Sequence, residues 1–201
     1  MWPKNIVALL LAYLLGSFPS AYLLVKWHYH QDVTAEGSGN VGTLNVLRTT
    51  RSKSLSALVL LIDFAKGFLV AALAQKLFSS NLLIPGAMIV LAVAGHNYPV
   101  WLRFHGGRGL ATSAGVMVVF APVLVGIWLI LWGVTYVLLR KVIYASVLVT
   151  IFLFVFIWWP GEAFVAAPLE IPVTIICFLI LIKHIPRIRD TWMESKMESI
   201  K

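Results

Sequence analysis

Two glycine-rich stretches contain the residues whose types and spacing could bind a phosphate group. In the first, residues 36–48, three glycines fall within six residues: Gly37, Gly39 and Gly42. Glycine lets backbone N–H groups approach an anion closely, because it lacks a Cβ and adopts left-handed conformations at little cost. The same stretch supplies neutral hydrogen-bonding side chains and an arginine that could bind phosphate through two N–H groups: Ser38, Asn40, Thr43, Asn45 and Arg48. A flexible loop between two helices, with its asparagines as helix caps, explains this pattern equally well.

The second stretch, residues 103–112, places Gly106, Gly107, Arg108 and Gly109 directly before a predicted helix. Glycines followed by a helix N-terminus form an anion site, because unpaired N–H groups and the helix dipole face the ligand. The spacing differs from that of the nucleotide-binding P-loop. His96, just upstream, is either a functional residue or a histidine bonded to the backbone at a membrane interface.

A pair of opposite charges lies inside a long apolar segment. Asp63 and Lys66 are three residues apart, so they share one face of a helix and can pair. A charge at the centre of a membrane-spanning helix costs roughly 3 kcal/mol on insertion scales. The pair therefore indicates either a polar interior or substrate path, or a structural ion pair whose members reduce each other's cost.

The remaining reactive residue types form no recognisable catalytic or metal-binding pattern. Four of the five histidines lie in or beside the two stretches, and the fifth is His184. No convincing nucleophile–base triad and no metal-ligand spacing can be assembled, so we expect neither a metal nor a cofactor. Cys177 lies in an apolar run, and we expect it to be buried rather than reactive.

The composition indicates a membrane protein. Of 201 residues, 60% are hydrophobic and only 12% are charged, about half the charged share of a globular chain. So few polar side chains cannot coat a water-facing surface, and lipid must be the solvent for much of the chain. The net charge of +8 is then best interpreted as a marker of cytoplasmic loops, and we expect no nucleic-acid partner.

Seven apolar segments are predicted to be transmembrane helices, at about 5–25, 54–77, 82–100, 110–121, 122–139, 142–159 and 169–183. The division at Ala121-Pro122 rests on charge and on the tendency of proline to start a helix. With that division, the four regions richest in Lys and Arg fall on one side: 26–53, 101–109, 140–141 and the tail after 183. The connection 160–170, which has no basic residue, falls on the other side. We therefore predict an all-α integral membrane protein of about seven transmembrane helices, with the N-terminus outside, the C-terminus cytoplasmic, and residues 1–201 in one domain.

Together and in this order, the motifs resemble those of the bacterial acyl-phosphate:glycerol-3-phosphate acyltransferase family (PlsY type). The resemblance covers most of the chain and rests on Gly16-Ser17-x-Pro19, the 37–48 stretch, Asp63-x-x-Lys66-Gly67, Gly95-His96-x-x-Pro99 and the 104–112 stretch. It implies transfer of a fatty acyl group from acyl phosphate to the 1-hydroxyl of glycerol 3-phosphate, giving lysophosphatidic acid. It also implies a multi-pass acyltransferase of the bacterial inner membrane, with its active site facing the cytoplasm and membrane lipid around it. We expect a monomer.

The resemblance also assigns roles to residues. Those expected to be catalytic are Ser38, Arg48, Asn45 and His184. Those expected to bind phosphate or substrate are Gly37, Gly39, Asn40, Gly42, Thr43, Lys66, His96, Gly106, Gly107, Arg108 and Gly109, with Asp63 as the structural partner of Lys66.

Five positions depart from the family pattern. Thr34 and Leu44 replace an arginine and a threonine, His105 and Arg108 replace two lysines, and Arg187 replaces an asparagine. These departures leave two alternatives to glycerol 3-phosphate acylation: acyl transfer to a different acceptor, or a catalytically weak paralogue that binds phosphate or lipid. A transporter would also explain charges in a membrane segment, but the sequence has no repeated pair of broken helices.

Overall fold

The computed structural model describes residues 2–78, 81–159 and 165–198. Within these ranges the chain forms nine α-helices, a short 3-10 turn at Val100–Leu102 and no strand. The helices are α1 (Trp2–Gly16), α2 (Ser20–Tyr29), α3 (Thr43–Thr50), α4 (Lys53–Leu77), α5 (Leu83–Asn97), α6 (Leu110–Phe120), α7 (Pro122–Leu139), α8 (Val142–Ile157) and α9 (Ala167–Glu198). The all-α prediction is confirmed. Residues 160–164, part of the connection predicted to face outside, lie outside the described residues.

In the part of the chain that the structure describes, five helical segments are long and apolar enough to cross a membrane: Pro3–Tyr29, Lys53–Leu77, Leu83–Leu102, Pro122–Leu139 and Ala167–Arg189. The two remaining apolar helices, α6 and α8, are shorter. Large apolar side chains are exposed along these helices, as at Ile130 (69%) and Leu138 (75%) on α7. Such a surface is suited to lipid rather than water.

The helix break predicted at Ala121-Pro122 is present, because α6 ends at Phe120 and Pro122 opens α7. Pro122 lacks the N–H that would continue the α6 ladder, and proline at the first position of a helix leaves no bond unmade.

Three elements differ from the sequence prediction. The first apolar segment is two helices, because Pro19 disfavours helix at Phe18 and the chain bends between Gly16 and Ser20. Half of the first glycine stretch, expected to be a loop, forms α3. The last helix does not stop at 183 but runs through Pro186 to Glu198.

Glycines allow two helix pairs to pack backbone against backbone. A Cβ on Gly67 of α4 would collide with the Thr112 carbonyl of α6, and a Cβ on Gly115 of α6 would collide with the Phe64 carbonyl of α4. Gly16 and Gly95 relate α1 and α5 in the same reciprocal way. Small residues permit this approach in membrane helices. The first pair of contacts fixes α4, which carries Asp63 and Lys66, relative to α6, which follows the second glycine stretch. The second pair fixes α5, which carries His96, relative to α1.

A smaller buried cluster holds the first glycine stretch in place. Val25 of α2, Val33, Val46 of α3 and Val59 of α4 pack together and are fully buried. α3 is therefore attached to α4 through apolar side chains, with its N-terminal end at the first glycine stretch.

The close α4–α6 contact predicts that Gly115→Ala destabilises the protein by about 1–3 kcal/mol, because the added methyl group has no room against the Phe64 carbonyl. Gly126→Ala on α7 is the matched control, since a Cβ there meets nothing within 4 Å. Thermal unfolding in detergent should show a lower midpoint for Gly115→Ala alone. Equal midpoints for the two variants would contradict the packing described.

Candidate active site

Asn45 fixes the first glycine stretch through side-chain hydrogen bonds. Its Oδ1 accepts hydrogen bonds from the Ser38 backbone N–H at 2.8 Å and from the Ser38 hydroxyl at 3.1 Å. Its Nδ2 donates to the carbonyls of Val33 and Glu36, both at 3.0 Å. The side chain is 1% exposed, and both its donors and both its acceptor sites are thereby used. This geometry supports a positioning role for Asn45, in place of the catalytic role that the resemblance implied.

The first stretch needs glycine for conformation and for space. Gly37 and Gly39 have φ of 59° and 66°, in the left-handed region that side chains rarely adopt. A Cβ on Gly37 would also collide with Asn45 Oδ1. Gly42 is the N-cap of α3, and that helix begins with no side-chain cap hydrogen bond. Among its first backbone N–H groups, that of Asn45 already donates to the Gly42 carbonyl, so only those of Thr43 and Leu44 are left without a helical acceptor.

The second stretch is bonded to the C-terminal end of α5. The Gly106 N–H donates to the Asn97 carbonyl at 3.2 Å, and the Gly107 N–H donates to the His96 carbonyl at 3.0 Å. A Cβ on Gly107 would collide with the His96 ring. These two N–H groups, expected to hold phosphate, are instead used within the fold, and the role supported for both glycines is close approach to α5.

An open cavity of about 1030 Å³ lies between the two stretches and α9. The first stretch lines it with Ser38, Gly39 and Asn40, the second with Arg103, His105, Gly106 and Arg108, and α9 with Lys183 and Arg187. The two stretches that the sequence singled out therefore face one space, together with four cationic side chains. Such a concentration of Arg and Lys is suited to phosphate groups.

Asp32 and Thr34 stand on the wall of this cavity. Thr34 donates its hydroxyl to Asp32 Oδ1 at 2.6 Å and its backbone N–H to the same atom at 2.9 Å. These bonds lower the pKa of the Asp32 carboxyl below its ordinary value, so the group is ionised at neutral pH. Asp32 thus places one negative charge among the cations.

A buried cluster of charges lies beside the open cavity, and Leu102 and Gly106 line both spaces. Asp63 Oδ1 accepts hydrogen bonds from Lys66 Nζ at 2.9 Å and from the Ser20 hydroxyl at 2.7 Å, and His96 Nδ1 lies 3.6 Å from it. Lys66 also donates to the Phe18 carbonyl at 3.1 Å, which lies at the bend between α1 and α2 and also accepts from the Ser20 backbone N–H at 3.0 Å. Lys66 is buried and does not line the open cavity, so the structure favours a structural ion pair over phosphate binding by Lys66.

Comparison with known proteins places these features in a family. The family model described as "Glycerol-3-phosphate acyltransferase" matches residues 6–193. The chain belongs to the glycerol-3-phosphate acyltransferase family. The glycerol-3-phosphate acyltransferase of Campylobacter concisus is 37% identical to it, with 92% of this chain and 94% of that protein covered.

Solved structures show the same fold for this acyltransferase family member. The crystal structure of PlsY (YgiH), an integral membrane glycerol 3-phosphate acyltransferase, in its glycerol 3-phosphate form matches with a TM-score of 0.85 and 31% identity. Its lysophosphatidic acid form matches with a TM-score of 0.83 and 30% identity. Each alignment covers 95% of this chain and 93% of the other. The resemblance inferred from the motifs is confirmed, and the protein is an integral membrane acyltransferase.

The structure does not bring every expected site residue of the acyltransferase to the open cavity. Arg48 is exposed in the last turn of α3, and Thr43 is half-buried at the start of the same helix. His184 is 1% exposed, and its Nδ1 donates to the Ile180 carbonyl at 2.7 Å. His96 is buried against Gly107. The expected residues that do not line the cavity are Gly37, Gly42, Thr43, Asn45, Arg48, Asp63, Lys66, His96, Gly107, Gly109 and His184.

Sequence reasoning missed Lys183 as a site residue and used it only as a marker of topology. Lys183 and Arg187 are four residues apart on α9, a spacing that places both on one face of a helix. That spacing was a usable signal, but only once the helix was known to continue past 183.

The buried charge cluster predicts that Lys66→Met alone destabilises the protein by about 3–5 kcal/mol, because it leaves Asp63 as an unpaired buried carboxylate. The double variant Asp63→Asn, Lys66→Met should recover much of that loss, since no buried charge then remains unpaired. Lys76→Met, at an exposed position of the same helix, is the control and should be neutral. Unfolding midpoints and the Michaelis constants of the double variant check this. A stable double variant with a strongly raised Michaelis constant for a phosphate substrate would show that Lys66 binds substrate after all.

Proposed function

We propose that this protein transfers a fatty acyl group from acyl phosphate to glycerol 3-phosphate, giving lysophosphatidic acid and inorganic phosphate. The observation that supports this most strongly is the open cavity, which both glycine stretches and the cations of α9 line together. Family membership supports the acceptor, because the relatives are named for acylation of glycerol 3-phosphate.

The chemistry of this reaction requires alignment more than covalent catalysis. Acyl phosphate is already activated, and phosphate is its leaving group. The acceptor hydroxyl oxygen attacks the acyl carbon, an ester bond forms, and the bond from that carbon to the phosphate oxygen breaks. A substrate phosphate oxygen takes the hydroxyl proton, which agrees with a site in which no nucleophile–base triad was recognised. The protein's contribution is to hold both substrates in place and to neutralise charge as it develops.

The charges lining the cavity are mostly opposite in sign to those of two such substrates. Each phosphate group carries about two negative charges at neutral pH. Arg103, Arg108, Lys183 and Arg187 face them, and Asp32 offsets one positive charge. Ser38 also lines the cavity. Its hydroxyl donates to Asn45 Oδ1, which leaves the hydroxyl oxygen able to accept a hydrogen bond from a substrate.

The departures from the family pattern lie mostly in this cavity. Thr34 stands where the family resemblance implies an arginine, and Arg187 stands where it implies an asparagine, and both residues line the same space. The arginine lost from one wall is thus matched by one gained on another. Arg108 also keeps the charge of the lysine it replaces. This balance favours glycerol 3-phosphate over an acceptor without phosphate.

The proposed roles of Arg48 and His184 rest on the family resemblance alone. Arg48 is exposed beside the first stretch, and His184 lies one turn before Arg187 on α9. For the membrane arrangement, we propose a monomer with seven spans in the bacterial inner membrane, an outside N-terminus, and a cavity that opens to the cytoplasm. The short α6, about 17 Å long, is enclosed by its neighbours, since Thr112, Gly115 and Val116 are buried.

The proposed reaction predicts that purified protein in nanodiscs releases phosphate from acyl phosphate only when glycerol 3-phosphate is present. Ser38→Ala should lower turnover by about tenfold or more while the unfolding midpoint stays near that of the wild type, because the Ser38 N–H still donates to Asn45. Asn45→Ala should lower both, because it removes the hydrogen bonds that fix the loop. If neither glycerol 3-phosphate nor any other acceptor gives more turnover than an Arg48→Ala variant, the catalytic proposal fails. Turnover with another acceptor alone would support the altered-acceptor alternative.

The proposed topology predicts that single cysteines at positions 50, 105 and 140 react with an impermeant maleimide only from the cytoplasmic side. The native Cys177 is buried and should stay unlabelled in intact membranes. Labelling of position 140 from outside would contradict the assignment of α6 and α7 as two separate spans divided at Pro122.

A further inference from the structure

Lys183 occupies an unusual position in the cavity wall. It is half-buried on α9, and its Nζ lies 4.7 Å from the centre of the Tyr98 ring. A cation over an aromatic face at this distance is attracted by the negative face of the ring, the more so when partly removed from water. The ring therefore holds the ammonium group at one place instead of leaving it to move in solvent.

Tyr98 is itself fixed by two other helices. It ends α5, where its backbone N–H donates to the Ala94 carbonyl. Its own carbonyl accepts a hydrogen bond from the Tyr13 hydroxyl of α1 at 2.7 Å. The ring beneath Lys183 thus belongs to the rigid part of the fold, and it connects α9 to the same end of α5 that holds the second glycine stretch.

The charged side chains nearest to Lys183 in this wall are cations. Arg108 is close enough for electrostatic interaction with it, and Arg187 follows one turn later on α9. Among the side chains that the structure describes, no carboxylate forms an ion pair with Lys183. Like charges held close together outside bulk water are unfavourable until an anion lies between them. Lys183, held by the Tyr98 ring and without a carboxylate partner in the described part of the chain, is therefore placed to bind an anion that enters the cavity.

We propose that Lys183 is a phosphate-binding residue that acts together with Arg108, and that the Tyr98 ring is the positioning residue for its ammonium group. The ligand is the phosphate group of one of the two substrates. Both carry this chemistry, and the measurements below distinguish them. The inference rests on the proposed function, and it adds a substrate contact from α9 that neither glycine stretch contains.

The test uses full-length protein in nanodiscs and compares Lys183→Met and Lys183→Gln with Lys183→Arg. A hydrogen bond to a charged group accounts for about a tenfold to hundredfold change in affinity. Both neutral variants should therefore raise the Michaelis constant of one substrate by that factor, with the other substrate saturating. Lys183→Arg, which keeps the charge and can stack on the ring, should stay within about threefold of the wild type. Lys141→Met, at an exposed lysine between α7 and α8, is the matched control and should change nothing.

The positioning role of Tyr98 is tested by Tyr98→Phe and Tyr98→Leu. The phenylalanine variant keeps an aromatic face and should behave as the wild type. The leucine variant should raise the same Michaelis constant as Lys183→Met, by a smaller factor, because the ammonium group is still present but no longer held. A rise in the constant for glycerol 3-phosphate assigns Lys183 to the acceptor, and a rise in the constant for acyl phosphate assigns it to the donor.

Binding of inorganic phosphate, measured by calorimetry on the same proteins, gives a result that does not require turnover. Weaker binding in both neutral variants, restored in Lys183→Arg, supports the inference even if the wild type acylates no acceptor and the proposed function fails. Phosphate affinity and both Michaelis constants within twofold of the wild type in Lys183→Gln would overturn it. So would an equal loss in Tyr98→Phe and Tyr98→Leu, because the aromatic face would then play no part.

Discussion

The Asp63 carboxylate joins the elements that carry the site. One of its oxygens lies close to the Ser20 hydroxyl of α2, the Lys66 ammonium group of α4 and the His96 imidazole of α5. The ring of His96 lies in turn against Gly107 of the second glycine stretch. Taking a charge out of water costs several kcal/mol, and only close partners offset this. The cluster therefore favours one relative placement of α2, α4 and α5. The second stretch is held in position because it packs against His96 of α5.

This arrangement divides the charges of the protein into two groups with different tasks. The charges of the cluster are buried and paired, and they stabilise the bend between α1 and α2 through the Phe18 carbonyl. The four cations of the open cavity instead line a space large enough for phosphate-bearing molecules: Arg103, Arg108, Lys183 and Arg187. The proposed reaction uses both groups, because the buried pair stabilises the fold while the cavity cations are available to the phosphate groups of the substrates. Asn45 stabilises the first stretch through hydrogen bonds, without any charge.

Much of this organisation could be predicted from local sequence. The parts that could not be predicted have a physical reason. Hydropathy, loop charges and one proline located the apolar segments and the break at Pro122, because helix length and backbone bonding depend on neighbouring residues. The two glycine stretches were predicted to bind phosphate and do face one cavity. The sequence could not show that the Gly106 and Gly107 N–H groups are used by carbonyls of α5, or that Asn45 has no hydrogen-bonding capacity left for a substrate. Those facts depend on which segments meet in space. Lys183 was missed for the same reason, since its partner Tyr98 lies far from it in sequence and on another helix.

The central claim is that Ser38, Gly39 and Asn40 of the first stretch line one substrate cavity together with Arg103, His105, Gly106 and Arg108 of the second. Chemical cross-linking tests it most directly. Cysteines introduced at Asn40 and His105 in a Cys177→Ser background are treated with a short bifunctional maleimide in native membranes. We expect efficient intramolecular cross-linking that glycerol 3-phosphate slows, while a pair at Asn40 and Lys141 gives none. No cross-link between positions 40 and 105, or one that proceeds equally fast with and without glycerol 3-phosphate, would contradict a shared substrate cavity.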